Sequence, residues 1–161
     1  MMDGFLLVLT LLAALGCGVV AGVFFAFSAF VMKALGRLPV EQGVAAMQAI
    51  NVAAVTPVFM AALFGTAVAC VALTVSALFA WDERFAPYLL VGSALYLVGT
   101  ILLTITYHVP RNEVLARVEP RGSGAESHWR RYLLGWTAWN HVRAAASLAA
   151  AAALTIALHV G

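Results

Sequence analysis

The chain has 161 residues, of which 64% are hydrophobic and only 10% are charged. A soluble domain carries about 25% charged residues, so the composition excludes a surface that faces water on all sides. The net charge of +2, without a basic run that alternates with aromatic residues, argues against nucleic acid as a partner. We therefore expect a single domain, residues 1–161, embedded in the lipid bilayer.

Four stretches with almost no charge are each long enough to cross a bilayer, which takes about 20 apolar residues in a helix. Their approximate spans are 5–32, 55–79, 87–108 and 132–160, with an interfacial helix predicted at 40–52. Between His108 and Arg131 the sequence is polar and holds Gly122-Ser-Gly124, which predicts a loop. The expected fold is all-α, a polytopic membrane protein built as a four-transmembrane-helix bundle.

The basic residues are distributed unequally among the three connections. The second connection holds Arg84 alone, whereas the first and third together hold Lys33, Arg37, Arg111, Arg117, Arg121, Arg130 and Arg131. Because basic connections favour the cytoplasmic side, we expect the first and third connections to be cytoplasmic and both termini to lie outside.

The first two apolar stretches offer packing features and a few candidate ligand contacts. Gly18-xxx-Gly22 has the spacing that lets two helices approach closely. Four phenylalanines follow, including Phe25, and they suit either ordinary packing or contact with a flat apolar ligand. Asn51 lies shortly before Pro57, where its amide could complete a cavity near the first and third connections. Cys17 and Cys70 lie in apolar runs and are predicted to be small buried side chains.

The third span carries a polar stripe at helical spacing. Its members are Ser93, Tyr96, Thr100, Thr104 and Tyr107. The stripe either provides polar contacts between helices or lines a cavity. His108 follows directly, and a histidine can titrate near neutral pH.

The fourth span concentrates polar and aromatic residues on one arc of about 100°. These residues are Trp129, Tyr132, Trp136, Trp139, Asn140, Arg143 and Ser147. No acidic residue lies within any predicted span, so Arg143 must find neutral partners, water or a ligand anion. Arg143 is therefore either a structural cation or an anchor for an oxyanion or phenolate. His141 lies about 100° from the arc but could face a neighbouring helix.

Several segments, in this order, resemble the anthrone oxygenase family, also described as the domain DUF1772. They are Gly22-Val-Phe-Phe-Ala-Phe-Ser28, Met47-Gln-Ala-Ile-Asn51, Pro57, Val109-Pro-Arg-Asn112 and Trp136-Thr-Ala-Trp-Asn-His-Val-Arg143. The resemblance implies a compact four-helix membrane protein and, as in some fungal members, oxidation of anthrones to anthraquinones by molecular oxygen. Such chemistry requires a base, a cation or donor set for an oxyanion, and an apolar slot for flat rings.

On that basis His141 or His108 is the expected base, and Arg143 with Asn140 is expected to stabilise the oxyanion. The expected substrate contacts are Asn140, Trp136, Trp139, Asn51, Asn112, Tyr96, Tyr107 and Phe25. No sequence pattern requires a cofactor, and two histidines without a third ligand do not make a metal site. The expected partners are the bilayer, a small apolar aromatic ligand and further copies of the chain. The alternative is a non-catalytic binding or transport module, or an assembly partner in the membrane.

Overall fold

The computed structural model describes residues 2–161, and over that range it contains helices and no strand. The helices are α1 (Gly4–Leu35), α2 (Val40–Ala53), α3 (Pro57–Phe79), α4 (Ala86–Ala116) and α5 (Ala125–Val160). All except α2 are long and apolar enough to cross a membrane. The prediction of an all-α bundle with four transmembrane helices is confirmed, and the chain is an integral multi-pass membrane protein.

The four long helices form a closed ring in the order α1, α5, α4 and α3, with α3 returning to α1. The backbone N–H of Met2 donates to the carbonyl of Gly161 at 3.1 Å, so the two ends of the described chain meet at one end of the bundle. We call this the terminal end. The opposite end, which we call the α2 end, holds α2 packed against α4 and α5.

The polar stretch predicted as a loop between His108 and Arg131 is largely helical, so that prediction is wrong. Helix α4 continues to Ala116 and α5 begins at Ala125, which leaves only residues 117–124 outside a helix. Gln48 of α2 donates from Nε2 to two carbonyls at the end of α4, those of Leu115 and Val118, at 2.9 Å each. Hydropathy indicates which part of a helix contacts lipid, not where the helix ends. The polar ends of α4 and α5 therefore resemble a loop in the sequence.

Glycines allow the closest helix approaches, but they are not the pair that the sequence suggests. A Cβ added to Gly16 would collide with Thr66 of α3, and one added to Gly92 would lie 2.9 Å from Leu154 of α5. The same test at Gly18 and Gly22 meets no packed neighbour within 4 Å. The expected Gly18-xxx-Gly22 contact is therefore absent within the described bundle, because that face points outward.

Four segments within the long helices adopt π-helical geometry. They are Phe27–Val31 in α1, Ala61–Gly65 in α3, and Leu97–Leu102 and Thr104–His108 in α4. A π turn holds about one extra residue and rotates everything after it by roughly 100° relative to a regular helix. The last of them precedes Pro110, which has no N–H to complete the regular ladder.

The core consists of two hydrophobic clusters separated by polar side chains. Leu73, Leu89 and Leu154 belong to the cluster toward the terminal end, and Met47 and Trp136 belong to the one at the α2 end. Along α5, Asn140, Arg143 and Ser147 lie between residues of these clusters and are buried. The buried amide and guanidinium of α5 are thereby placed next to the α2 end.

Candidate functional site

A cavity of about 500 Å³ opens in the half of the bundle next to the α2 end. Residues of all five helices line it, and most of them are apolar, among them Phe24, Leu63 and Trp136. Its polar lining residues are Asn51, Thr104, His108, Asn112 and Arg143. A few polar groups on apolar walls are typical of small-molecule sites.

Arg143 is a buried cation held by neutral partners. Its guanidinium donates from Nη1 to the Thr104 hydroxyl at 3.1 Å and from Nη2 to Oδ1 of Asn140 at 2.6 Å. The guanidinium carbon lies 4.0 Å from the centre of the Phe24 ring and 5.3 Å from that of Trp136. Its Nε is buried without a hydrogen-bond partner among the described residues. Arg143 therefore presents a positive charge that no carboxylate neutralises.

Asn140 fixes the position of Arg143 and joins α5 to α1. Its Nδ2 donates to the carbonyl of Phe24 and to the hydroxyl of Ser28, both at 2.7 Å, while its Oδ1 accepts from Arg143. The two ends of the amide are thus both occupied by protein groups. Asn140 orients the guanidinium and does not itself line the cavity.

His108 is fully buried and lies beside Arg143 in the lining of the same cavity. Its Nδ1 is 3.4 Å from the carbonyl oxygen of Leu103, and its ring meets Trp136 edge-on at 5.2 Å. Its Nε2 has no hydrogen-bond partner among the described residues. A proton on Nδ1, which the carbonyl contact favours, leaves the lone pair of Nε2 available to accept a proton.

Two asparagines complete the polar lining. Oδ1 of Asn112 accepts from the Tyr132 hydroxyl at 2.8 Å and from Nε1 of Trp136 at 3.1 Å, which holds the indole in the cavity wall. Nδ2 of Asn51 is buried and has no hydrogen-bond partner among residues 2–161. Asn51 therefore contributes a free donor, whereas Asn112 has a supporting role.

Three of the predicted site residues face outward, and the structure corrects them. Phe25 is 65% exposed, Trp139 is 44% exposed and His141 is also exposed, and none of the three lines the cavity. Phe25 follows Phe24, and the other two flank Asn140, so each is rotated by about 100° from a residue that points inward. His141 is therefore not positioned to act as the base.

The two predicted tyrosines also lie outside the cavity. Tyr96 is buried in the terminal-end cluster, and its hydroxyl donates to the carbonyl of Leu63 at 3.0 Å. Tyr107 lies on the other side of α4, in a groove beneath Arg111. The first π segment of α4 lies between these tyrosines, and the second includes Tyr107. Both shift the helical phase, so Tyr107 turns away from the cavity and His108 lines it.

Some lining residues were absent from the sequence-based set. Phe24, rather than Phe25, packs beneath the Arg143 guanidinium. Thr104 bonds the same guanidinium, but in the sequence it is marked only by its place in the polar stripe. Helix α3 contributes Phe59 and Leu63, which are apolar residues in an apolar helix, so no sequence pattern marks them. Within residues 2–161 no group of three or more His, Cys, Asp or Glu side chains is arranged to hold a metal ion.

The comparisons with known proteins identify a family. No curated protein and no solved structure matches the chain. The family model described as anthrone oxygenase matches residues 56–153, more than half of the chain. The matched range contains His108, Asn112, Trp136, Asn140 and Arg143, whereas α1 and α2 lie outside it. The chain belongs to the anthrone oxygenase family.

Proposed function

We propose that this protein is a membrane-embedded oxygenase that oxidises a small, flat aromatic substrate of the anthrone type. The observation that carries the proposal is the convergence of three polar atoms without protein partners on one apolar cavity. They are Nε of Arg143, Nε2 of His108 and Nδ2 of Asn51. A base, a cation and a hydrogen-bond donor are the groups that this oxidation requires.

The chemistry starts with removal of a proton from the methylene of the anthrone. Nε2 of His108 takes this proton, and the resulting negative charge spreads to the carbonyl oxygen across the ring. Arg143 and Asn51 donate to that oxygen, and a charge-assisted hydrogen bond in a mostly apolar site is strong. Arg143 remains protonated throughout and acts only by charge and hydrogen bonding.

Molecular oxygen is the oxidant. The carbanion transfers electrons to O2 as a carbon–oxygen bond forms, and His108 returns its proton to the peroxide. Loss of one water molecule from the hydroperoxide leaves the second carbonyl, so CH2 and O2 become C=O and H2O. The carbanion reacts with O2 directly in this scheme, and we propose no cofactor.

The walls of the cavity suit a planar aromatic ligand. Phe24, Phe27 and Trp136 provide ring faces and edges, and a volume of about 500 Å³ lies within the usual range for small-molecule sites. Phe27 and Trp136 are tilted by 49° with ring centres 5.7 Å apart, so they form a corner rather than a stack. We propose that the substrate dissolves in the bilayer and reaches the cavity from it.

The experiment is turnover of emodin anthrone by the purified protein in detergent, followed by oxygen uptake and quinone absorbance. We expect Arg143→Gln to lower kcat by about 10²–10³-fold and His108→Gln by about 10²–10⁴-fold. Asn51→Ala tests the site without removing a protein hydrogen bond of Nδ2. His141→Ala, which alters an exposed histidine on the same helix as Arg143, is the matched control and should retain full turnover.

Folded Arg143 and His108 variants with unchanged turnover would contradict the proposal. An absence of oxidation, together with movement of the anthrone across protein-containing liposomes, would favour the binding or transport module instead. Metal analysis of the active sample tests the proposed independence from a cofactor, because turnover proportional to metal content would overturn it.

We also propose that the α2 end, next to the half of the bundle that holds the cavity, faces the cytoplasm. The helix ends and connections at this end hold seven basic residues, which are Lys33, Arg37, Arg111, Arg117, Arg121, Arg130 and Arg131. The connection at the terminal end holds Arg84 alone. The excess of basic residues favours retention of the α2 end on the cytoplasmic side.

A further inference from the structure

A second concave site lies on the outside of the bundle and shares no lining residue with the cavity. It is a groove of about 700 Å³ between the end of α4 and the beginning of α5, at the α2 end. Val114, Leu115, Val118 and Leu134 form its apolar walls. The proposed oxidation uses none of these residues, so the groove is an independent feature of the surface.

The groove has a concentrated positive charge. Arg111 and Arg131 line it together with His128, and no acidic residue does. Among the described residues the ion pairs formed by arginines are Arg121 with Glu41 and Arg130 with Glu126, so neither lining arginine is neutralised by a carboxylate. The groove therefore carries two arginines, one from each helix, whose positive charges an anion could neutralise.

An aromatic floor leads from these arginines toward the middle of the bundle. The guanidinium of Arg111 lies 3.4 Å above the centre of the Tyr107 ring, and the Tyr107 ring packs on Trp139 with centres 5.2 Å apart. Gly135 of α5 makes room for this arrangement, because a Cβ there would lie 2.7 Å from the Tyr107 hydroxyl. The polar end of the groove is thus continuous with an apolar surface.

We propose that this groove binds an anionic phospholipid, with the phosphate between Arg111 and Arg131 and an acyl chain along Tyr107 and Leu134. The groove lies where α4 and α5 extend past their apolar stretches, which is the depth of lipid headgroups. Leu134 is 70% exposed and Trp139 is 44% exposed, so an acyl chain has an open apolar path. A basic pocket between helices at that depth is suited to an anionic headgroup, and a free phosphate would leave the apolar walls unused.

The test is native mass spectrometry of the protein in detergent, titrated with phosphatidylglycerol or with phosphatidylcholine of the same chains. We expect preferential retention of phosphatidylglycerol, and a loss of affinity of about fivefold or more in Arg131→Glu. Arg131 is exposed, so this substitution should not prevent folding. Arg130→Glu is the matched control, because it makes the same change of charge one residue away and outside the groove.

The double variant Arg111→Ala/Arg131→Ala should bind both lipids equally, with retention of fold checked by circular dichroism. Equal binding of the two lipids by the unaltered protein, or equal losses in Arg131→Glu and Arg130→Glu, would overturn the proposal. Inorganic phosphate is the third ligand in the titration. If it competes with phosphatidylglycerol at equal concentration, the site is one for free phosphate and the lipid assignment is wrong.

Discussion

Arg143 shows how a bundle without acidic residues in its interior accommodates a buried cation. A carboxylate partner would cancel the charge, whereas the Thr104 hydroxyl, the Asn140 amide and the Phe24 ring solvate the guanidinium and leave its charge in place. One N–H of the guanidinium remains without a protein acceptor. Neutral solvation therefore keeps Arg143 available for the anion of the proposed reaction.

Asn140 and Asn51 carry the same side chain, but we expect Asn140 to act in stability and Asn51 in the proposed reaction. Asn140→Ala should lower the free energy of unfolding by about 1–3 kcal/mol, because Nη2 of Arg143 and the Ser28 hydroxyl both lose their hydrogen bonds to Asn140. Asn51→Ala should leave that free energy nearly unchanged and lower turnover. Unfolding in mixed micelles, followed by circular dichroism, checks the first effect, and the anthrone assay checks the second. Equal destabilisation by the two substitutions would contradict the assignment.

At the scale of the helix, the π segments explain how side chains of one helix reach the backbone of another. A π turn offsets the regular hydrogen-bond ladder, so nearby carbonyls can accept from side chains. Asn140 donates to the carbonyl of Phe24, just before the π segment of α1, and Tyr96 donates to that of Leu63, inside the π segment of α3. The two irregular segments therefore provide cross-helix contacts close to the cavity.

The same segments set the limit of what the sequence predicts about the site. Helix α5 is regular, so a periodicity of 3.6 residues correctly places Trp136, Asn140 and Arg143 on one buried arc. Helix α4 has two π segments, so the same periodicity wrongly continues the polar stripe to Tyr107. Apolar sequence alone does not reveal how far such a helix rotates.

Glycine substitutions test which helix faces are in close contact. Gly92→Ala should lower the free energy of unfolding by about 1–3 kcal/mol, because the added methyl group overpacks against Leu154 and the carbonyl of Ala150. Gly18→Ala is the matched control, and its effect should stay below about 1 kcal/mol because its position is open. Unfolding of both variants in mixed micelles provides the comparison. A larger loss at Gly18 would indicate a close neighbour on that face.

At the scale of the molecule, the two halves of the bundle differ in what they pack. The terminal half is filled mainly by apolar side chains, with Leu73, Leu89 and Leu154 fully buried. The half next to the α2 end holds the polar layer and the cavity, and α2 covers it through Gln48 at the end of α4. The sequence predicted the four crossings from charge and hydropathy, but it could not predict this division, which depends on which helices are neighbours.

The orientation of these halves in the membrane is open to a direct labelling experiment. Ser123→Cys places a thiol in the exposed connection at the α2 end, and Asp82→Cys places one in the exposed connection at the terminal end. The native Cys17 and Cys70 are 0% exposed and should remain unlabelled.

Because basic residues favour the cytoplasmic side and a single Asp contributes little, neither substitution should alter the orientation. A membrane-impermeant maleimide should label Asp82→Cys in right-side-out vesicles and Ser123→Cys only in inverted ones. The reverse pattern would place the α2 end outside the cell and overturn the proposed cytoplasmic side.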